Sequence, residues 1–219
     1  MRIRAVLFDL DGTLVDSRAD IAAALDEAVA RHGYARVGVD RAATFVGDGA
    51  RMLVERALAA TGAPLSETDA VLATYMAEYR RCHLERTRLY PGVEEVLAEL
   101  TARGVRCAVV TNKPHEFSVS LLDHLGVAAS MAAIVGGDSL PYLKPRPEPL
   151  LAALEACGAA PDEAAMVGDG EPDMRAARAA GLFAVGVTYG FRDRATLEAA
   201  GADAIVDRMA DLLPVLEGL

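Results

Sequence analysis

The feature that most limits how this chain can fold is an alternation that starts at Tyr90-Pro91-Gly92 and runs to the last residues. Short apolar runs are each followed by a stretch of helical period. The spacing predicts helices over 93–103, 116–125, 148–157, 173–180 and 209–216, with strands over 105–110, 133–135, 164–167, 183–187 and 204–206. Apolar residues recurring at three and four positions mark the helices, and unbroken apolar runs of strand length mark strands covered on both faces. Gly104, Gly126, Gly158 and Gly181 each follow a predicted helix, where glycine commonly ends one. Such alternation predicts an α/β fold, a Rossmann-like parallel sheet with helices on both faces.

One more strand belongs to that sheet. Residues 3–8 form an apolar run cut off by Asp9-Leu10-Asp11-Gly12-Thr13. Residues two apart on a strand point the same way, so Asp9 and Asp11 are expected to emerge together from its carboxyl end. Carboxylates held side by side repel unless a cation sits between them. Taken alone, the same residues would also suit an ordinary Asp-Gly turn.

Between this strand and residue 87 nothing reads as a strand. Helices are predicted over 18–31, 50–60 and 66–84, with Ser66 and Asp69 as a weak capping box and Tyr75, Met76 and Tyr79 in a core stripe. The expected organisation is a discontinuous α/β domain, residues 1–16 and 87–219, with a small all-helical domain inserted over 17–86. A chain of 219 residues that is 53% apolar can bury substantial cores in such a plan.

The formal net charge of −10 argues against nucleic acid or an anionic membrane as partner. The opening apolar run is too short for a signal peptide or a membrane span. Cys82, Cys107 and Cys157 form no CxxC pair and read as thiols of a reducing, cytoplasmic compartment. The four histidines show no metal-ligand spacing. Only two of the 22 basic residues are lysines, Lys113 and Lys144, and both stand in Pro-flanked loops. A compact ammonium differs from a guanidinium fork, a hint that at least one of these positions needs it.

Parallel sheets bind ligands at the carboxyl ends of their strands. Four such ends, or the loops after them, carry polar residues: Asp9 with Asp11, Thr111 with Asn112, Lys144, and Asp169 with Asp173. Asp9, Asp11 and Asp169 can offer hard oxygen ligands to one Mg²⁺. Thr111 and Asn112 offer a hydroxyl and an amide or backbone N–H to phosphate oxygens, and Lys144 a positive charge. A phosphate dianion would not enter a nest of carboxylates without that positive charge. The chemistry these parts can carry is phosphoryl transfer to a carboxylate.

With these motifs in place, the chain resembles the haloacid dehalogenase superfamily in its phosphatase form. Phe8-Asp9-Leu10-Asp11-Gly12-Thr13-Leu14 is similar to that family's first motif and Val110-Thr111-Asn112-Lys113-Pro114 to its second. Lys144-Pro145-Arg146-Pro147 is similar to the third, and Val167-Gly168-Asp169 with Asp173 to the fourth. The helical insertion is similar to the small cap domain of the subgroup that inserts it after the first motif. Within that subgroup, Val46-Gly47-Asp48-Gly49-Ala50, Val135-Gly136-Gly137-Asp138, Pro147-Glu148-Pro149-Leu150 and Val187-Thr188-Tyr189-Gly190-Phe191 resemble the bacterial phosphoglycolate phosphatases.

The resemblance implies that Asp9 is a nucleophile forming an aspartyl-phosphate. It makes Asp11 the general acid and then base, binding metal through its main-chain oxygen. Asp169 becomes the third metal ligand and Asp173 a partner behind it or an occasional ligand, while Thr111, Asn112 and Lys144 hold the phosphate. It implies Mg²⁺ as cofactor and 2-phosphoglycolate as substrate, with a sugar phosphate, an amino-sugar phosphate or a phosphomutase reaction as alternatives. Gly170 stands where the family often has Ser, and Glu171 is expected to bring an extra anion near the metal. Arg51 is considered as a contact for the substrate carboxylate, provided Asp48 caps its helix; Lys113 is read as a solvated loop lysine. The expected partner is a small phosphorylated metabolite, and the chain is expected as a monomer or homodimer.

Overall fold

The computed structural model describes residues 3–219. Its strands are β1 (Ala5–Phe8), β2 (Val15–Asp16), β3 (Arg88–Leu89), β4 (Arg106–Val110), β5 (Met131–Val135), β6 (Ala164–Gly168), β7 (Phe183–Val187) and β8 (Ala204–Val206). Its helices are α1 (Arg18–Arg31), α2 (Val39–Ala43), α3 (Ala50–Thr61), α4 (Thr68–Cys82), α5 (Val93–Ala102), α6 (His115–His124), α7 (Glu148–Cys157), α8 (Glu171–Ala180), α9 (Arg194–Ala200) and α10 (Leu212–Glu217). Six strands form one sheet in the order β5-β4-β1-β6-β7-β8, and every neighbouring pair is parallel.

Strand periodicity sorts the side chains of this sheet into two cores. On β1, Val6 and Phe8 face one layer, and Ala5 and Leu7 the other. The Val6 face packs on α5, α6 and α10 through Val96, Leu97, Leu100, Leu121, Leu122 and Leu212. The Leu7 face packs on α7, α8 and α9 through Leu150, Leu154, Met174, Ala177 and Leu197. Burial of a large apolar side chain stabilises by about 1.5–3 kcal/mol, so a strand buried on both faces holds its ends firmly.

Helices α1 to α4 surround a third core built from Leu25, Val29, Val54, Leu58, Val71, Tyr75 and Tyr79, with Phe117 of α6 entering from the sheet side. The chain leaves and re-enters the sheet layer at β2 and β3, an antiparallel two-residue ribbon. Asp20 of α1, fully buried, accepts from the main-chain N–H groups of Arg86 and Thr87 at 2.9 and 2.8 Å, and from the Thr87 hydroxyl at 2.8 Å. Among the described residues no helix is long and apolar enough to cross a membrane. The three cysteines are free thiols.

Local details depart from expectation where side chains found other partners. Helix α4 starts at Thr68 with no side-chain cap, and Ser66 lies in a preceding 3-10 turn while Asp69 pairs with Arg51. Asp48 pairs with Arg56 and leaves Gly49 to begin α3. Helix α9 has no counterpart in the periodicity because it buries only Leu197 and Ala200. What fixes it is Asp193, whose carboxylate accepts from the Thr196 N–H at 2.9 Å and hydroxyl at 2.6 Å.

Candidate active site

The sheet order sets β4, β1 and β6 side by side, so their carboxyl ends share one edge of the molecule. Asp9 follows β1, Thr111 to Lys113 follow β4, and Asp169 follows β6. Asp173 comes from the first turn of α8. Carboxylate oxygens of Asp9, Asp169 and Asp173, all buried, lie within 4.8 Å of one another.

Lys144 stands behind this triad. Its Nζ donates to the Val110 carbonyl at 2.6 Å and to Asp173 Oδ1 at 2.7 Å. It also lies 2.9 Å from Asp9 Oδ1, a buried ion pair. Burial alone would lower the Lys144 pKa, but Asp173 and Asp9 outweigh it and raise it, so Lys144 stays a cation. Burial, then the charges of Asp9 and Asp173, push the Asp169 carboxyl well above the ordinary range, against the pull of the Phe191 N–H. Burial likewise raises Asp173 against the pull of Lys144. Three carboxylates and one ammonium leave a deficit of two positive charges. With three buried carboxylates offering hard oxygen donors within 4.8 Å of one another, the set fits a divalent cation.

Asp11 has partners of its own. Strand β1 ends at Phe8, and the chain turns at Gly12, whose φ of +85° and 2.2 Å approach of a would-be Cβ to Asp169 Oδ2 admit only glycine. Asp9 and Asp11 both line the cavity at the carboxyl end of β1, but only the Asp9 carboxylate joins the cluster with Asp169 and Asp173. The Asp11 carboxylate accepts from Ser17 Oγ at 2.6 Å and from Lys113 Nζ at 2.8 and 3.0 Å. Only its main-chain oxygen is left for the metal role expected of it.

Lys113 corrects the reading as a solvated loop lysine. It is buried, paired with Asp11, and set 4.6 Å from the ring centre of Tyr79. Thr111 accepts from the Lys113 N–H at 3.2 Å. The Asn112 carboxamide is fully used: Nδ2 donates to the carbonyls of Gly47 and Lys144 at 2.9 Å each, and Oδ1 accepts from the Lys144 N–H at 2.9 Å. Of the two groups expected to meet phosphate, the side chain is thus excluded and the backbone N–H remains.

A cavity of about 180 Å³ opens over these residues, floored by Asp9, Asp11, Thr111, Asn112, Lys113, Asp169 and Asp173. The helical layer roofs it with Ile21, Thr44, Val46, Leu53, Arg56, Tyr75, Met76 and Tyr79. Arg51 is not part of its lining. The Arg51 guanidinium turns outward to Asp69 at 2.5 Å and Glu55 at 3.8 Å, away from the cavity in which a substrate contact was expected of it. Glu171 lines the rim, but its charge is shared with Arg175 one turn along α8.

A family model described as haloacid dehalogenase-like hydrolase matches residues 3–181. The chain belongs to that family. Phosphoglycolate phosphatase 1 of Pseudomonas aeruginosa is 40% identical to this hydrolase over 215 residues, covering 96% of the chain and 79% of the relative. The phosphoglycolate phosphatase of Pectobacterium atrosepticum is 40% identical over 219 residues, covering 98% and 92%. Among solved structures, a protein of Haemophilus somnus described as a predicted phosphoglycolate phosphatase superposes with a TM-score of 0.91. It is 32% identical and covers 98% of each chain. The hydrolase is an enzyme of phosphatase type.

Sequence reasoning passed over several residues that the hydrolase brings to its site. Ser17 carried no signal beyond being polar. Tyr75 and Tyr79 read as core, and they are core, yet both also face the cavity. The Tyr79 hydroxyl has no hydrogen-bond partner among the described residues. For Lys113 the signal existed in the scarcity of lysine, but it could not choose between one position and two.

Proposed function

We propose that this phosphatase hydrolyses 2-phosphoglycolate to glycolate and phosphate through an aspartyl-phosphate on Asp9, with Mg²⁺ as cofactor. The observation that carries the reading is the buried Asp9 at the floor of a small cavity, clustered with the carboxylates of Asp169 and Asp173 and ion-paired with Lys144. The names of the relatives supply the substrate.

Asp9, Asp169 and the main-chain oxygen of Asp11 would hold the ion, with Asp173 fixed behind them by Lys144. When bound, Mg²⁺ supplies the positive charge that lets a phosphate dianion approach the carboxylates. Asp9 attacks phosphorus, forming the Asp9–phosphorus bond as the bond to the glycolate oxygen breaks. Asp11, oriented by Ser17 and Lys113, gives its proton to the departing oxygen. In the second half Asp11 takes a proton from water, which attacks phosphorus and releases phosphate with Asp9 restored. Thr111, the Asn112 backbone and Lys144 steady the phosphoryl oxygens. The helical layer excludes bulk water from the cavity.

A panel of phosphate esters with Mg²⁺ tests this. The highest kcat/KM is expected for 2-phosphoglycolate, with stoichiometric release of inorganic phosphate and no measurable turnover by Asp9→Asn. Higher kcat/KM for a hexose or amino-sugar phosphate would overturn the substrate; equal rates for wild type and Asp9→Asn would overturn the mechanism.

A further inference from the structure

The sheet and the helical layer meet at the mouth of the site through one short loop after β7. We propose that this loop, Tyr189 to Arg192, is a strap that ties the seating of the helical layer to the placement of Asp169, with Arg192 as its positioning residue. The Arg192 guanidinium donates to three main-chain carbonyls of the turn that leaves α2: Ala43 at 3.3 Å, Thr44 at 3.1 Å and Val46 at 2.6 Å. A planar fork with five donors suits such a set of acceptors. One residue earlier, the Phe191 N–H donates to Asp169 Oδ2 at 2.7 Å. At Gly190 a Cβ would stand 2.4 Å from Asp169 Cβ and from the Gly12 carbonyl, so the loop lies directly against the carboxylate. The Tyr189 hydroxyl donates to the Thr13 carbonyl at 3.0 Å.

Four consecutive residues therefore grip the turn after β1, the carboxylate Asp169 and the helical layer. Asn112 holds the same helical turn from the other side, through the Gly47 carbonyl at 2.9 Å. Because Arg192 and Asn112 bind carbonyls, the side chains of Thr44 and Val46 stay free to line the cavity. A helical layer lifted off the sheet removes one of the loop's two anchors and slackens the N–H that fixes Asp169. A seated layer restores both, so closure over substrate and the geometry of the metal carboxylate become one event.

The inference rests on the proposed function only in taking Asp169 as a metal ligand, and its test needs no substrate. Arg192→Ala, Arg192→Lys and the control Arg194→Ala, an exposed arginine paired with Asp207, are compared with wild type. The measurements are amide hydrogen exchange over residues 39–49 and Mn²⁺ affinity by calorimetry. Arg192→Ala is expected to exchange faster over 39–49 and to bind Mn²⁺ on the order of 5- to 100-fold more weakly, the range of coupling between linked sites. Arg192→Lys is expected in between, because a point ammonium cannot span three carbonyls; the control should match wild type. Faster exchange with unchanged Mn²⁺ affinity would overturn the coupling, and wild-type exchange would overturn the strap. If Arg192→Ala does not fold, Arg192→Lys carries the test. Wild-type protein that binds no Mn²⁺ overturns the metal reading and the coupling with it, whereas a blank ester panel overturns only the substrate chemistry.

Discussion

Replacing Lys144 with methionine removes one charge while keeping most of the side chain's volume. In the native site the ammonium is buried, hydrogen-bonded to Val110 and Asp173 and 2.9 Å from Asp9. Without it, three carboxylates face one another with no protein cation in contact. Breaking a buried ion pair from one side costs about 3–5 kcal/mol. In a chain of this length each kcal/mol moves Tm by roughly 2–4 °C, giving a drop of about 6–20 °C. The loss should depend on pH with a definite sign. Burial already raises the Asp173 carboxyl, and Lys144 is what opposes it. In the variant the folded state holds a proton that the unfolded chain has released, from the ordinary carboxylate range up to the raised pKa. Stability then falls as pH rises through that window, so the deficit is smaller near about pH 5 than near about pH 8. Saturating Mg²⁺ at about 100 times its Kd should return about 2.7 kcal/mol. Thermal melts of both proteins at the two pH values, in chelator and in Mg²⁺, measure all of this. Equal Tm for wild type and Lys144→Met at the higher pH in chelator would refute the electrostatic account of the site.

Asp20→Ala strands two main-chain N–H groups and a hydroxyl beside the β2–β3 ribbon, at about 1–3 kcal/mol for each buried group left unpaired. We expect a urea midpoint clearly below wild type with an unchanged slope, and an unmoved midpoint would show that Asp20 contributes little to that junction. Arg51→Ala should leave KM for 2-phosphoglycolate within about twofold, since it alters only an exposed pair with Asp69 and Glu55. A tenfold rise, on the order of 1.4 kcal/mol, would return Arg51 to the substrate.

The sheet was legible because apolar runs of strand length and helices of regular period leave a strong imprint on the order of residues. The helical layer was legible as helices, but the β2–β3 ribbon was not, since two-residue strands have no periodicity to read. At the site, Asp9 and Asp169 could be found from their places at strand ends, and Lys144 from its Pro-flanked loop before α7. Asp11 could be found but its partners could not, because Ser17 and Lys113 reach it only through the folding of separate segments. Arg51 misled for a related reason. A cation in the first turn of a helix is as well explained by Asp69, brought near by the packing of α3 on α4, as by a ligand. The roles of Phe191 and Arg192 depend on a main-chain N–H and on main-chain carbonyls, which every sequence possesses.

The position of β1 in the middle of the sheet carries a cost in time. Ala5 pairs with Arg106 on one side and with Ala164 on the other, so Asp9 leaves the ribosome long before either neighbouring strand has been made. The four helices in between meet mostly one another and can gather early, whereas long-range parallel pairing is slow. The strand-end face of the sheet is thus assembled from the inside outward only after its roof has been translated, and a nascent chain stalled before β6 would carry Asp9 without its neighbours Asp169 and Asp173.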